Sequence, residues 1–466
     1  MSSSRGWAWA SLTTATLVGA ALRLYQLGAA SLWLDEAYTY FFVTGPFERG
    51  WRALLDIGNH PPLFYLITRL FAVVTSSEFG LRLPAALAGI VAIPLMYPFA
   101  RQWGNPVAGH VAAWLLAVNP FAIWYAHDAR PNSLNLAWVI LLSWLFVRLY
   151  RRFTWIRWWA LVVVSSLAYV THYFSTLFAL ACALFLIARL RQDYTFFRRW
   201  ALAQFAAVAL ISPWFITWGL HPVHSFGIAW IPQPTLSDLP LTLLNLATGW
   251  NERWTIGAAM AGVLWAVGLG LSLWPANRRE WAAPQFPALA LIWLIAPLVI
   301  IFLFSLRRPL YVDRYFIVLL PPLTLLAALG FSSLRSPWQW AVTLIAVASA
   351  LVSYPNYAKE DWREVTAFLR ERQASGEPVY LLDLQDLLPL AYYGFRLPGD
   401  ALNPPPPPEA FWTVARDGRE SAHRLGELEA VETPATVTGW LTQNHYVIVE
   451  QKEWAGVRLL WLNKGP

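Results

Sequence analysis

The sequence predicts an all-α polytopic membrane protein of about 11 transmembrane helices, followed by a small C-terminal α/β domain. Three observations carry this. Only 13% of the 466 residues are charged while 57% are hydrophobic, with a mean hydropathy of +0.44. A soluble globular domain carries roughly a quarter charged residues, so this chain lacks the polar surface to cover itself in water. Long apolar windows recur along the first three quarters of the chain. After Tyr354 the composition turns polar: 16 of the 27 acidic residues and all three lysines fall in the last 113 positions.

The apolar windows lie near 7–27, 81–100, 107–124, 132–149, 158–172, 173–190, 200–219, 255–273, 286–305, 315–333 and 338–353. Each approaches the length of about 17–25 residues that spans a hydrocarbon core. Many of the 29 tryptophans sit at window ends, as interfacial belts require. The first window could serve as a secretory leader, but the spans that follow make an uncleaved helix the simpler expectation. The single cysteine, Cys182, excludes an intrachain disulfide.

Orientation follows from loop charge. With the N-terminus cytoplasmic, the inner loops hold arginines such as Arg101, Arg148, Arg151, Arg152, Arg198 and Arg199. Nine of the eleven acidic residues before 354 then lie outside. The basic residues, although net +7, are dispersed between apolar runs, which suits an anionic bilayer better than nucleic acid. The segment from His60 to Val74 is too short to cross and reads as a surface helix, so 29–80 is one long outer loop with an amphipathic helix around 36–55. An odd number of spans places residues 354–466 outside: a helix over 361–373, a strand from Val379 to Leu382, a short helix over 386–393, a proline-rich break and strands over 446–450 and 457–462. The expected division is a transmembrane domain over 1–353 and an extracytoplasmic α/β domain over 354–466.

Four outer-loop constellations carry potential chemistry. In Ser31 to Tyr38 (SLWLDEAY), the adjacent Asp35 and Glu36 can supply a general base or bind a cation or amine, or simply begin a helix whose dipole favours acids. Asn59 to Tyr65 (NHPPLFY) has prolines suited to a first helical turn. It exposes a helix start able to hold phosphate, with His60 as an added donor. Trp124 to Pro131 (WYAHDARP) crowds His127, Asp128 and Arg130 beside the bilayer, where charges must pair or face a wet cavity. A structural Asp128–Arg130 ion pair is the competing arrangement. Arg307 to Tyr315 (RRPLYVDRY) sets Arg307, Arg308 and Arg314 on the outer side against the charge trend, with Tyr311, Asp313 and Tyr315 between or beside them. Guanidinium forks recognise phosphate bidentately. His172, His221 and His224 also lie outside, and with His60, His127, Asp35 and Asp128 they could make a metal site. No tight ligand spacing joins them, so no metal site is assigned and a divalent cation is the one candidate cofactor.

The order Asp-Glu, His-Pro-Pro-Leu, Tyr-Ala-His-Asp-Ala-Arg-Pro, then Asp-Arg-Tyr resembles the GT-C superfamily of membrane glycosyltransferases. The protein O-mannosyltransferase-like and aminoarabinose-transferase-like branch is the nearest match. Lys359 to Arg363 (KEDWR) also resembles the opening of the soluble tail in bacterial members. The resemblance implies surface helices in the first outer loop, an active site just above the bilayer and a polyprenyl- or dolichyl-phosphate sugar donor. It implies Asp35 as catalytic base, Asp128 as a second acidic residue of the cavity and His60 near the lipid phosphate. Asn59 departs from the glutamate that the aminoarabinose-transferase branch tends to carry. The expected reaction is an inverting transfer to a hydroxyl of a lipid, glycan or protein, with Arg130, Arg314, His60 and Tyr311 or Tyr315 holding the leaving phosphate. Two other classes share the architecture: a transporter or lipid flippase, and a ligase or polymerase using a diphosphate donor. Transporters place ionisable groups near the midplane, whereas this chain keeps its acids at one face.

Overall fold

The computed structural model describes residues 2–57, 61–221, 231–249, 256–283, 285–353, 359–397, 406–416 and 435–465. Helix α1 (Ser2–Leu24) leads into the first outer loop, which folds as α2 (Leu34–Val43), α3 (Phe47–Ile57) and α4 (Leu63–Ala72). The single amphipathic helix expected over 36–55 is therefore two helices. Gly45 at φ +76, a backbone region open to glycine, and Pro46 after it end the first. Helix α4 has ten residues, about half a bilayer crossing, consistent with a helix along the surface.

The apolar windows are next occupied in turn by α5 (Glu78–Trp103), α6 (Pro106–Val118), α7 (Pro120–Ala126), α8 (Asn132–Arg151), α9 (Trp155–Tyr169), α10 (Thr176–Ala188) and α11 (Leu190–Gly219). The short α12 (Asp238–Thr248) precedes α13 (Ile256–Leu273), α14 (Phe286–Ser305), a 3₁₀ segment over Asp313–Leu319, α15 (Leu320–Ser332) and α16 (Ser336–Ser353). Local capping explains the boundaries. Asn105 and Asn119 accept from the backbone N–H groups of Ala108 and Ala122, each followed by proline at the first helical position, where no N–H is needed. Thr154 caps α9 in the same way. Among the described residues α5, α8, α11, α14 and the 3₁₀ segment continued by α15 are each long and apolar enough to cross a membrane, and α6 with α7 forms a sixth such unit bent by 56°.

The bend frees backbone carbonyls inside apolar surroundings, which is costly unless they are met. Arg23, fully buried near the end of α1, donates to Leu116 O at 3.0 Å and Ala117 O at 2.8 Å. Helices α13 and α15 approach through glycine: a Cβ on Gly330 would lie 1.9 Å from the carbonyl oxygen of Gly268. Small residues allow this close backbone contact in membrane bundles.

The connections sort to two ends. At one, Trp103 O accepts from Ala282 N at 2.8 Å, Gln102 donates to Trp144 O, Arg151 to Gln102 O, and Trp158 to Arg199 O. This is the arginine-rich end that loop charge assigns to the inside. The opposite end carries α2 to α4 and the polar tail.

The tail folds as α17 (Trp362–Ala374), α18 (Leu387–Tyr392), β1 (Ala410–Arg416), α19 (Ala435–Asn444), β2 (Tyr446–Trp454) and β3 (Val457–Lys464). The strands form an antiparallel sheet in the order β1-β3-β2. Strand β1 and helix α19 are additions to the sequence expectation. The strand expected at Val379–Leu382 is reduced to one bridge, Val379 with Trp412. Trp362, Trp412, Leu459 and Phe395 pack beneath the sheet, together with Trp33 and Leu34 of the first outer loop. That shared core seats the tail on the membrane domain.

Candidate active site

Asp35 and Glu36 occupy the first turn of α2, and successive residues on a helix diverge by about 100°. The consequence is a division of labour. Glu36 is fully buried. Arg82 of α5 clasps it with both fork nitrogens at 2.7 and 2.6 Å, and the Ala129 N–H donates at 2.9 Å. Lys359 Nζ lies 3.0 Å away. Burial alone would raise the Glu36 carboxyl, but Arg82 and Lys359 outweigh it and hold it at about 2. Arg82 also donates to the carbonyls of Leu27, Ala30 and Ser31, which locks the chain that leads into α2.

Asp35 faces the other way and keeps 21% of its side chain exposed. Two arginines converge on its Oδ2: Arg130 Nη2 at 3.6 Å and Arg314 Nη1 at 3.4 Å. Both distances exceed the roughly 2.7–2.9 Å of a tight charge-assisted hydrogen bond. The arginines thus flank the carboxylate without engaging it closely. Arg130 also donates to the Asp35 carbonyl at 3.2 Å.

Arg130 reaches this position from the sharp turn after α7, in which its own N–H donates to Asp128 O at 2.7 Å. Asp128 points inward and is 2% exposed. It accepts from Trp33 Nε1 at 2.9 Å and pairs with Lys359 at 3.6 Å. Burial, the largest influence, raises its carboxyl despite the opposing pull of Lys359. Arg130 therefore pairs with Asp35 and Asp128 with Lys359, rather than the two pairing along the chain. His127 bonds Leu22 O through Nε2 at 3.1 Å, and burial lowers its imidazole to about 4.

Arg314 is carried by the 3₁₀ segment, and its guanidinium lies over the rings of Trp33 and Tyr315 at 5.7 and 5.6 Å. Asp313, its neighbour, turns away and accepts from Thr242 at 2.5 Å and Asn245 at 2.6 Å on α12. Tyr311 joins that network through Thr242 at 2.9 Å. Asp313 and Tyr311 thus anchor the segment, and Tyr315 stays with the arginine. His172 lies beside Tyr315, the rings tilted by 58° at 5.6 Å between centroids, while its Nδ1 accepts from Phe174 N. Arg307 is exposed beyond the end of α14, apart from this group. His60 and His224 lie outside the described residues. His221 pairs with Asp56 at 3.5 Å. Among the described residues no group of three or more His, Cys, Asp or Glu is placed to hold a metal ion.

Lys359 is the member that the sequence placed in the tail motif KEDWR but gave no role at the site. The available signal was its rarity: three lysines in the chain, one of them just past the last apolar window. The rest of KEDWR clamps the tail. Asp361 accepts from Ser31 Oγ at 3.2 Å and from the Glu364 N–H as a helix cap. Arg363 pairs with Glu78 at 2.7 Å.

Comparison with known proteins bears on the fold that carries this site. The family model described as dolichyl-phosphate-mannose-protein mannosyltransferase matches residues 59–218, from α4 to α11. The structure superposes on ArnT from Cupriavidus metallidurans bound to undecaprenyl phosphate with a TM-score of 0.61 at 15% identity. It superposes on the apo state of that protein with a TM-score of 0.62 at 14% identity, and each match covers 98% of both chains. The Bacillus subtilis (strain 168) protein named "Putative mannosyltransferase YkcB" is 23% identical over 129 residues, 28% of this chain and 17% of that one. The matched region is thus under a fifth of that relative's length. Residues 59–218 thus resemble a mannosyltransferase family model, and the chain as a whole shares the fold of ArnT.

Proposed function

We propose that the protein is an inverting glycosyltransferase that moves a hexosyl or pentosyl group from a polyprenyl-monophosphate donor to an acceptor hydroxyl at the outer face of the cell membrane. The acceptor class is a lipid, glycan or protein. The observation that carries this reading is the convergence of Arg130 and Arg314 on Asp35, the partly open carboxylate of the site. Asp35 takes the proton from the acceptor hydroxyl. The hydroxyl oxygen forms the new bond to the anomeric carbon as the bond from that carbon to the phosphate oxygen breaks on the opposite side. The electron pair leaves with the phosphate, and one displacement inverts the centre. Arg130 and Arg314 hold the departing polyprenyl phosphate, where preorganised positive charge acts on developing negative charge. Tyr315 and His172 line that side, and the sequence resemblance adds His60.

The step is tested at Arg314. Turnover per folded molecule should fall by roughly 2–4 kcal/mol of transition-state stabilisation in Arg314→Ala, by analogy with deleted oxyanion donors. Arg314→Lys should be less impaired but still clearly slow, because lysine keeps the charge and loses the fork. Membranes supplied with labelled polyprenyl-phosphate sugars provide the measurement. Transfer from a diphosphate donor alone, or lipid translocation without cleavage of the sugar bond, would replace this reading with the ligase or flippase.

The same reading sets eleven spans, with residues 1–353 in the membrane and 354–466 outside the cytoplasm. In intact cells, Thr195→Cys and Ala276→Cys should resist an impermeant thiol reagent, while Thr235→Cys and Glu450→Cys should react. The native Cys182 is buried and gives little background. Labelling at 195 or 276 would invert the topology.

A further inference from the structure

The three acceptors that meet the Lys359 ammonium come from two different elements, and each adjoins a residue of the site. Glu36 Oε1 lies at 3.0 Å, Asp128 Oδ1 at 3.6 Å and the His127 carbonyl at 2.8 Å. The ammonium donates to the His127 carbonyl and lies within ion-pair distance of both carboxylates. Its side chain is 5% exposed, against 21% for that of Asp35. Glu36 is the chain neighbour of Asp35 in the first turn of α2. Asp128 lies two residues before Arg130.

Building a lone ammonium or a lone carboxylate at this depth is costly, and the cost is met only when the charges cancel. Here two carboxylates, Glu36 and Asp128, stand against two cations, Arg82 and Lys359, all of them buried. Arg82 already satisfies Glu36 with both fork nitrogens. The ion partner that Lys359 supplies to Asp128 therefore completes the neutral set. Trp33 finishes the connection, because the indole that donates to Asp128 also lies beneath the Arg314 guanidinium.

We propose that Lys359, which enters the membrane domain from the head of the C-terminal tail, is a positioning residue. Paired with Asp128, it holds the start of α2 and the 127–131 turn together so that Asp35 and Arg130 face one another. The proposal rests on the transferase reading for its effect on turnover. It also assigns the tail a role: without its first residues, the site loses the cation that neutralises its buried acids. Asp128 then acts in support of the site, away from the substrate.

The test is a double-mutant cycle on the full chain in membranes and in detergent. Lys359→Met fills a similar volume and leaves Asp128 without its cation. It should lower kcat by about 10–100-fold, the range for a small misplacement of reacting groups, with the donor KM nearly unchanged. Adding Asp128→Asn, which keeps an acceptor for Trp33, should return most of the lost turnover, and thermal melts of the four proteins should be non-additive. A double variant no better than Lys359→Met would overturn the proposal, as would a raised donor KM in Lys359→Met, which marks a phosphate ligand instead. If Lys359→Met does not accumulate, the double variant decides alone: near wild-type turnover supports the pairing and a loss beyond about 100-fold overturns it. If the wild type transfers sugar from no polyprenyl-phosphate donor, the transferase reading falls. The melts then judge the pair by themselves, with additive shifts overturning it.

Discussion

Asp35→Asn should reduce turnover by about 10²–10⁴-fold, the span associated with loss of a general base, while donor binding is largely kept. The amide retains the shape of the carboxylate and cannot accept the hydroxyl proton. It still sits between Arg130 and Arg314, whose guanidiniums lie 3.6 and 3.4 Å from Oδ2, so the phosphate ligands stay in place. Folding should be little affected, because Asp35 is the member of the acidic pair that retains exposure and the buried contacts belong to Glu36. Initial rates with labelled donor and saturating acceptor, alongside equilibrium binding of the donor lipid, separate the two effects. Turnover near that of the wild type would remove Asp35 from the chemistry.

Arg82→Met should destabilise the protein by about 3–5 kcal/mol, the cost of breaking a buried ion pair from one side. The side chains are 1% and 0% exposed, so solvent offers Glu36 no replacement, and three carbonyls at Leu27, Ala30 and Ser31 lose their donor as well. Removing both charges, with Glu36→Gln added, should cost less than the sum of the single changes. The pH dependence has a definite sign. Glu36 is held at about 2, below its ordinary 4.5. Its contribution is therefore present above pH 4.5 and is lost as pH falls toward 2. In Arg82→Met the buried carboxyl is relieved by protonation, so the deficit relative to wild type should shrink on acidification. Melting curves in detergent between neutral and mildly acid pH measure this. A deficit that does not change with pH would place the loss in the carbonyl contacts instead of the charge.

How much of this was legible beforehand depends on the range of the interaction. The helical bundle follows from apolar length, because a span needs only a continuous run and its own backbone hydrogen bonds. Helix occupies the eleven windows read from composition, and the caps at Asn105, Asn119 and Thr154 are local signals. The break between α2 and α3 was written as well, in Gly45 and Pro46, but a periodicity reading passed over it. The tail was harder. The strand expected at Val379–Leu382 has the right residues, yet only Val379 finds a partner, since pairing is decided by a strand more than thirty residues later.

The site divides the same way. Composition and motif order, read from the chain alone, indicated the membrane class, the face on which the acids gather and the set that includes Asp35, Asp128, Arg130 and Arg314. Charge beside a bilayer is expensive and so marks itself. Only the tertiary structure decided which carboxylate is open and which is closed. Asp35 and Glu36 are adjacent and chemically alike, and a rotation of about 100° around the helix sends one toward Arg130 and Arg314 and the other to Arg82. It likewise decided that Asp313 and Tyr311 serve α12 while Arg314 serves the site, and that Lys359 travels from the tail into the core. These choices are set by packing between segments tens to hundreds of residues apart, and no local pattern encodes the direction in which a side chain finds its partner.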